Sequence, residues 1–218
     1  MSTTKFAKTL IGSSIPYYPF KGIERFYDMG GLLNNTLAFA ACTCALRSMI
    51  KYYFPKATKI GLLDARGFLF SSVSHAPGHK MLPAVMVRKL GKMPNTVSSG
   101  DYETEYGHRD GVAVQRHAVG LGDKIVLIDD LVATGGTFGA AIEAVRKAGG
   151  EVIGCISLVE LDAFAEQRAK VLPDDVPRVA LFKSESELLQ MGSWKADLPD
   201  DYVDDGAVFE SKGSMRKV

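Results

Sequence analysis

Alternating apolar runs and helical stretches predict an α/β chain with a mostly parallel, twisted sheet flanked by helices. Lys59–Leu63, Leu82–Val87, Lys124–Ile128 and Val152–Val159 are short apolar runs of strand length, as expected for strands buried on both faces. Helical patterns separate them, over Asn34–Phe54, from Gly67 through His75, and over Thr137–Ala148. The residues that look chemical stand at strand-to-helix turns, where open α/β sheets bind their ligands.

The elements follow in order. The first 35 or so residues carry Pro16, Pro19, Gly22, Gly30 and Gly31, which predicts loops with short elements. Asn34 or Asn35 can cap the next helix, whose buried face is read as Leu37, Ala40, Ala41, Cys44 and Ala45. Pro55 stops it, and Pro77-Gly78 ends the helical stretch after Gly67. Leu90–Gly100 has no hydrophobic period and reads as a loop. Val112–Val114 is a weak strand, and Gly149-Gly150 closes the helix over Thr137–Ala148. A short helix is expected over Ala163–Ala169 and an edge strand over Arg178–Phe182. Organisation is read as one domain over 1–218: residues 1–35, a core over 36–182, and a polar, partly ordered extension over 183–218.

Composition narrows the function classes. The chain has 218 residues, 46% of them hydrophobic, so it can bury a sizeable core. Twenty-six basic and 25 acidic residues give a net charge of +1, which argues against a general binder of nucleic acid or membrane surfaces. Cys42, Cys44 and Cys155 make a poor disulfide framework and are read as reduced core residues. The N-terminus has no signal-peptide pattern, and the longest apolar stretch falls short of the roughly 20 residues of a bilayer span. The expectation is a soluble cytoplasmic protein. His75, His79, His108 and His117 show no metal-ligand spacing and are read as surface or structural.

Three motifs carry chemistry. In the first, a buried strand ends in Asp129 and Asp130, followed by Leu131-Val132-Ala133-Thr134-Gly135-Gly136-Thr137 and a helix. Gly135 and Gly136 let the backbone approach a phosphate, and amides from Ala133 to Thr137 would face it at a helix N-terminus. Thr134 and Thr137 add hydroxyl donors. Two carboxylates beside a phosphate need partners, and vicinal sugar hydroxyls supply them, with a magnesium ion nearby. The bland alternative is an N-capped helix after a strand.

The second motif, Asp64-Ala65-Arg66-Gly67-Phe68, places an Arg at a helix start, against the dipole, which a bound anion would explain. Its bland alternative is a surface salt bridge between Asp64 and Arg66. The third runs from Arg88, Lys89 and Lys92 to Tyr102-Glu103-Thr104-Glu105-Tyr106-Gly107. Clustered cations suit a shared anion such as pyrophosphate, and the segment beyond them suits a lid that excludes water. Glu105 is an acid or base candidate and Tyr106 a hydroxyl donor. By spacing alone, a solvated hairpin explains this segment better.

Taken together, Asp64-Ala65-Arg66-Gly67-Phe68-Leu69-Phe70, Val87-Arg88-Lys89-Leu90-Gly91-Lys92-Met93-Pro94, Tyr102 to Gly107, Val126 to Thr137 and Ser157-Leu158-Val159-Glu160-Leu161 resemble the adenine phosphoribosyltransferases, over residues 15–170. The resemblance implies a type I phosphoribosyltransferase fold with a small N-terminal hood, beginning near Tyr18 to Ile23, and a flexible catalytic loop. It implies transfer of the phosphoribosyl group of 5-phosphoribosyl-1-pyrophosphate (PRPP) to adenine, giving AMP and pyrophosphate, with Mg2+ held mainly by substrate and with a homodimer. Arg66, Arg88, Lys89 and Lys92 would contact pyrophosphate, some from across the dimer. Glu105 and Tyr106 would lie on the catalytic loop, with Arg66 also catalytic. Asp129 and Asp130 would bind the ribose hydroxyls, and Ala133, Thr134, Gly135, Gly136 and Thr137 the 5-phosphate. Leu131 would pack on adenine, and Ile23, Arg25 and Phe26 of the hood would read its edge. The family's hood usually carries Phe-Arg-Asp, where this chain has Phe26-Tyr27-Asp28. Competing readings are transfer to another base, a PRPP-fold regulator that binds nucleic acid, and a simple phosphate-binding module. The last leaves the Arg66 and Glu105 motifs unexplained.

Overall fold

The computed structural model describes residues 3–20, 23–75, 78, 80–100, 102–103 and 109–192. The chain forms two compact units, one from Met1–Cys42 with Ser186–Val218, the other from Thr43–Glu185.

In the first unit, helix α1 (Thr3–Ser13) precedes a hairpin of β1 (Tyr17–Phe20) and β2 (Ile23–Tyr27), then the short α2 (Gly30–Asn34). An 11-residue helix was not expected in a segment punctuated by Gly and Pro. Those residues all lie after Lys5–Leu10, which is free of both. Tyr17 and Tyr27 face each other across the hairpin with ring centroids 5.8 Å apart. The polar stretch after 183 is not all appendage: Tyr17 N–H donates to Gln190 O (3.0 Å) and Gly192 N–H to Tyr17 O (2.9 Å).

Helix α3 (Thr36–Tyr53) begins at Asn35, whose Oδ1 accepts from Ala38 N–H at 3.1 Å, the expected cap. Its buried stripe is Ala38, Cys42, Leu46 and Ile50, while Leu37 is 74% exposed and Cys44 is exposed. The expected face was therefore rotated. Both stripes are apolar, and the one with the larger Leu46 and Ile50 buries more area. Cys42 and Cys155 are buried free thiols, pushed up to about 12 by burial, so only Cys44 departs from the core reading.

The second unit is built on seven strands in the order β11-β10-β9-β3-β4-β8-β5. These are β3 (Lys59–Leu63), β4 (Ala84–Lys89), β5 (Thr96–Ser98), β8 (Val112–Gln115), β9 (Lys124–Val132), β10 (Glu151–Glu160) and β11 (Arg178–Lys183). The first five in that order are parallel, and β8 and β5 add antiparallel edges. Strand β5 falls in the expected loop, since pairing with β8 supplies what periodicity did not. Between them β6 (Tyr102–Glu103) pairs antiparallel with β7 (Arg109–Asp110). A 3-10 helix over Arg66–His75, broken at Phe70, follows β3. Helix α4 (Gly136–Lys147) follows β9, and a 3-10 turn (Asp162–Phe164) with α5 (Ala165–Val171) follows β10.

The core that positions the site lies beneath α4. Phe138, Ala141, Ala144 and Val145 cluster with Leu63, Val87, Ile125 and Leu127 of the central strands. Phe138 is 3% exposed and sits two residues after the Gly-Gly turn. Its truncation leaves a cavity under the first turn of α4. Phe138→Ala is expected to cost about 3–5 kcal/mol. In urea unfolding this lowers the midpoint with an unchanged slope.

Candidate active site

Strand β9 is the middle of the five parallel strands, and its last residues project past β3. Pairing with β3 stops at Ile128, while pairing with β10 continues to Val132. Asp129 and Asp130 therefore stand where one neighbour has ended, in strand rather than after it. Asp130 is 3% exposed. Its carboxylate receives Arg66, with Nε 3.0 Å from Oδ2, yet Oδ2 has no well-aligned donor among the described residues. The contact is an ion pair with misaligned hydrogen-bond geometry, leaving acceptor capacity. Asp130 N–H donates to Asp129 Oδ1 at 2.9 Å. Burial, and next the neighbouring Asp130 charge, raise Asp129 well above the usual carboxyl range.

Arg66 reaches Asp130 because Gly67 lets its helix lie against β9. A Cβ at Gly67 would come within 2.8 Å of Ile128 O. The expected alternative pairing of Asp64 with Arg66 is not formed. Asp64 Oδ2 instead accepts from Arg88 Nε at 3.0 Å, across β3 and β4, and the Arg88 guanidinium lies 5.9 Å from the Phe68 ring centroid. Asp64 and Arg66 lie beyond the end of β3, in the turn and the first residue of the 3-10 helix, and each cation takes its carboxylate from beside a neighbouring strand, Arg66 from β9 and Arg88 from the end of β3.

The phosphate loop comes next. Gly135 adopts φ 85° and caps α4. A Cβ there would be strained, and would meet Leu172 at 2.9 Å. Arg168 of α5, 4% exposed, braces the loop from behind. Its Nη1 donates to Ala133 O (2.6 Å) and Leu161 O (3.0 Å), and its Nη2 to Glu160 Oε1 (2.7 Å). Lys183 also reaches Glu160 Oε1. Arg168 was not among the sequence candidates. Nothing local marks it, since its partners lie up to 35 residues away.

A cavity of about 770 Å³ opens over these residues. Its lining joins Arg66, Arg88, Lys89 and Lys92 to Asp129, Asp130, Leu131 and the stretch from Ala133 to Thr137. Three separate sequence segments thus meet at the carboxyl ends of parallel strands. Backbone amides at a helix N-terminus, four cations and three carboxylates, of which Asp64 already holds Arg88, suit a polyanion that also bears hydroxyl groups. Glu105 and Tyr106 lie outside the described residues, between β6 and β7. Ile23, Arg25 and Phe26 stand on β2 in the other compact unit, where Ile23 is 53% exposed, Phe26 packs 4.9 Å from Phe20, and Arg25 lies 5.1 Å over the Tyr17 ring. Among the described residues, no group of three or more His, Cys, Asp or Glu is placed to hold a metal ion by itself, and no helix is long and apolar enough to cross a membrane.

Comparison with known proteins agrees with this geometry. The profile of the Phosphoribosyl transferase domain matches residues 85–201. An adenine phosphoribosyltransferase of Treponema denticola is 37% identical over 175 residues, spanning 79% of this chain and 86% of that one. The enzyme of the same name from Nitrosomonas europaea is 40% identical over 154 residues, 68% of this chain and 82% of its own. The structure of Saccharomyces cerevisiae adenine phosphoribosyltransferase, solved with an imino-altritol bisphosphate and adenine, superposes with a TM-score of 0.70 at 29% identity, covering 82% of this chain and 99% of that one. With the strand-end carboxylates, the glycine turn and the cation cluster in one cavity, and relatives matched over most of their length, this chain belongs to the adenine phosphoribosyltransferase family.

Proposed function

We propose that the chain transfers the 5-phosphoribosyl group of PRPP to adenine, releasing AMP and pyrophosphate. The observation that carries this reading is the single cavity holding an amide-lined helix start, a carboxylate pair and four cations. Each part matches one part of PRPP. Amides and hydroxyls from Ala133 to Thr137 hold the 5-phosphate. Asp129 and Asp130 accept from the ribose hydroxyls. Arg66, Arg88, Lys89 and Lys92 receive the pyrophosphate, with Arg88 oriented by Asp64. Leu131 packs on the base, and the hood residues Ile23, Arg25 and Phe26 read its edge.

In the reaction the bond from the anomeric carbon to pyrophosphate breaks as the bond to the purine nitrogen forms, and that nitrogen loses its proton. The transition state is oxocarbenium-like, so positioning and charge stabilisation do the work. Glu105 accepts the proton, and Tyr106 donates to the leaving group from the same loop. The paired carboxylates and the incompletely satisfied Asp130 oxygen fit Mg2+, a hard cation with oxygen ligands. When bound, mostly through substrate oxygens, it neutralises charge on the leaving pyrophosphate. The proposal includes a single phosphoribosyltransferase domain with hood and C-terminal extension, a homodimer in which some cations act across the interface, and a cytoplasmic setting.

The direct test is release of AMP from adenine, PRPP and Mg2+, run beside hypoxanthine, guanine and orotate. Turnover with adenine alone is expected, and preferred turnover of another base would overturn the base assignment. Glu105→Gln should lower kcat by a factor on the order of 100 to 10,000 if it moves the proton. An unchanged kcat would remove it from that role.

Asp129 provides a test by pH. Its folded pKa is raised, so between about pH 4 and that raised value the native state binds more protons than the unfolded state. Stability of the free protein should therefore fall as pH climbs through this window. Asp129→Asn should flatten that fall, raise Tm at neutral pH, and weaken binding of ribose 5-phosphate. Thermal unfolding at several pH values, with and without ribose 5-phosphate, reads all three.

A further inference from the structure

Arg47 is the least compensated charge among the described residues. It lies on α3 and is 4% exposed, yet its Nε and Nη1 are buried and donate to no acceptor among the described residues. Burial draws its pKa down. An arginine stays protonated all the same, and a buried cation without a counter-charge is far costlier than a lost hydrogen bond. The guanidinium lines a cavity of about 190 Å³. Lys51 and Lys80 line it too, with Ile50, Phe54 and Leu82 as apolar wall, and none of its lining residues is acidic. Lys51 is explained by its place in the last turn of α3, where a cation complements the helix dipole. Arg47, a turn deeper and with Nε and Nη1 buried, has no such explanation.

The cavity stands apart from the phosphoribosyl site. Phe54 and Ala57 lie between α3 and β3, and Leu82 just precedes β4, so it opens at the amino ends of parallel strands whose carboxyl ends carry Asp64 and Arg88. We propose that it is a second anion site, for a small phosphomonoester whose phosphate meets Arg47 and the two lysines and whose apolar body lies on Ile50, Phe54 and Leu82. Three cations suit a phosphomonoester near −2 better than a carboxylate. Arg offers it a bidentate fork. Size limits the rest, because pockets for drug-sized ligands run to roughly 300–1,000 Å³. A whole nucleotide does not fit, and a phosphate with one small ring does.

The test follows arginine Nε–H signals by NMR in the full-length protein, the Arg47 signal being the one lost in Arg47→Lys. Arg66 and Arg88 report the other cavity separately. Phenyl phosphate is expected to shift the Arg47 signal saturably, and inorganic phosphate to do so more weakly by a factor on the order of 10, the effect of burying one or two carbon groups. Sodium chloride at equal ionic strength should leave it in place. Equal affinity for the two phosphates would overturn the apolar subsite, and no saturable shift with either would overturn the site. In phosphate-free buffer Arg47→Met should unfold at a higher Tm, since it removes an unpaired buried charge. A lower Tm would mean that Arg47 is satisfied within the fold. If that variant does not fold, the NMR titration of the unaltered chain decides alone.

Discussion

Two adjacent carboxylates at the end of β9 impose the constraint to which the active-site half of the structure answers. Asp129 and Asp130 repel each other in a setting that already penalises charge, which is why Asp129 holds its proton so strongly. Left alone, such a pair would weaken the fold. One charge is met by Arg66, and that contact exists only because Gly67 allows a helix to lie against the strand. The Asp129 carboxyl is left for whatever enters the cavity. Under-compensation of this kind destabilises the free protein and favours a ligand that donates hydrogen bonds or brings a cation. Perturbed carboxyls cluster at functional sites for this reason.

Around that pair, precision comes from long-range ties. The phosphate loop is pinned at both of its surfaces. Gly135 turns it with a positive φ, and Arg168 holds the Ala133 carbonyl from the protein side. With that carbonyl turned inward, the amides that follow are free to face the cavity, ready for an anion without rearrangement. Glu160 fixes Arg168 and is itself met by Lys183, so the end of β10, α5 and β11 all support one loop. Two of the four cavity cations are likewise committed to carboxylates, Arg66 to Asp130 and Arg88 to Asp64, which sets their direction as well as their charge.

What the sequence revealed follows the range of the interactions. The Asp129 to Thr137 stretch was legible because strand, carboxylates, glycines and helix start are all neighbours in the chain. So was the parallel sheet, from its runs of apolar residues. Partner choice was not, since Asp64 and Arg66 look like a pair on paper, while their partners, Arg88 and Asp130, come from distant strands. Arg168 looked like any charged helix residue. The α3 stripe was misjudged because an Ala-rich helix has two apolar faces, and only tertiary packing selects between them. Strand β5 had no periodic signal and exists through its partner β8. In each case the missing information lay in residues distant along the chain.

The two ends of the parallel sheet also explain why anions would be held so differently at each. At the carboxyl ends the following helices begin, and unpaired amides with a favourable dipole face outward. A phosphate can be bound there by the backbone, leaving side chains to balance charge. At the amino ends the preceding helices finish, and carbonyls with the opposite dipole crowd the same space. An anion at that end must be held by side-chain cations strong enough to overcome the dipole. A buried arginine flanked by two lysines, as at Arg47, is what such a position requires, and it has no purpose in a cavity meant to stay apolar.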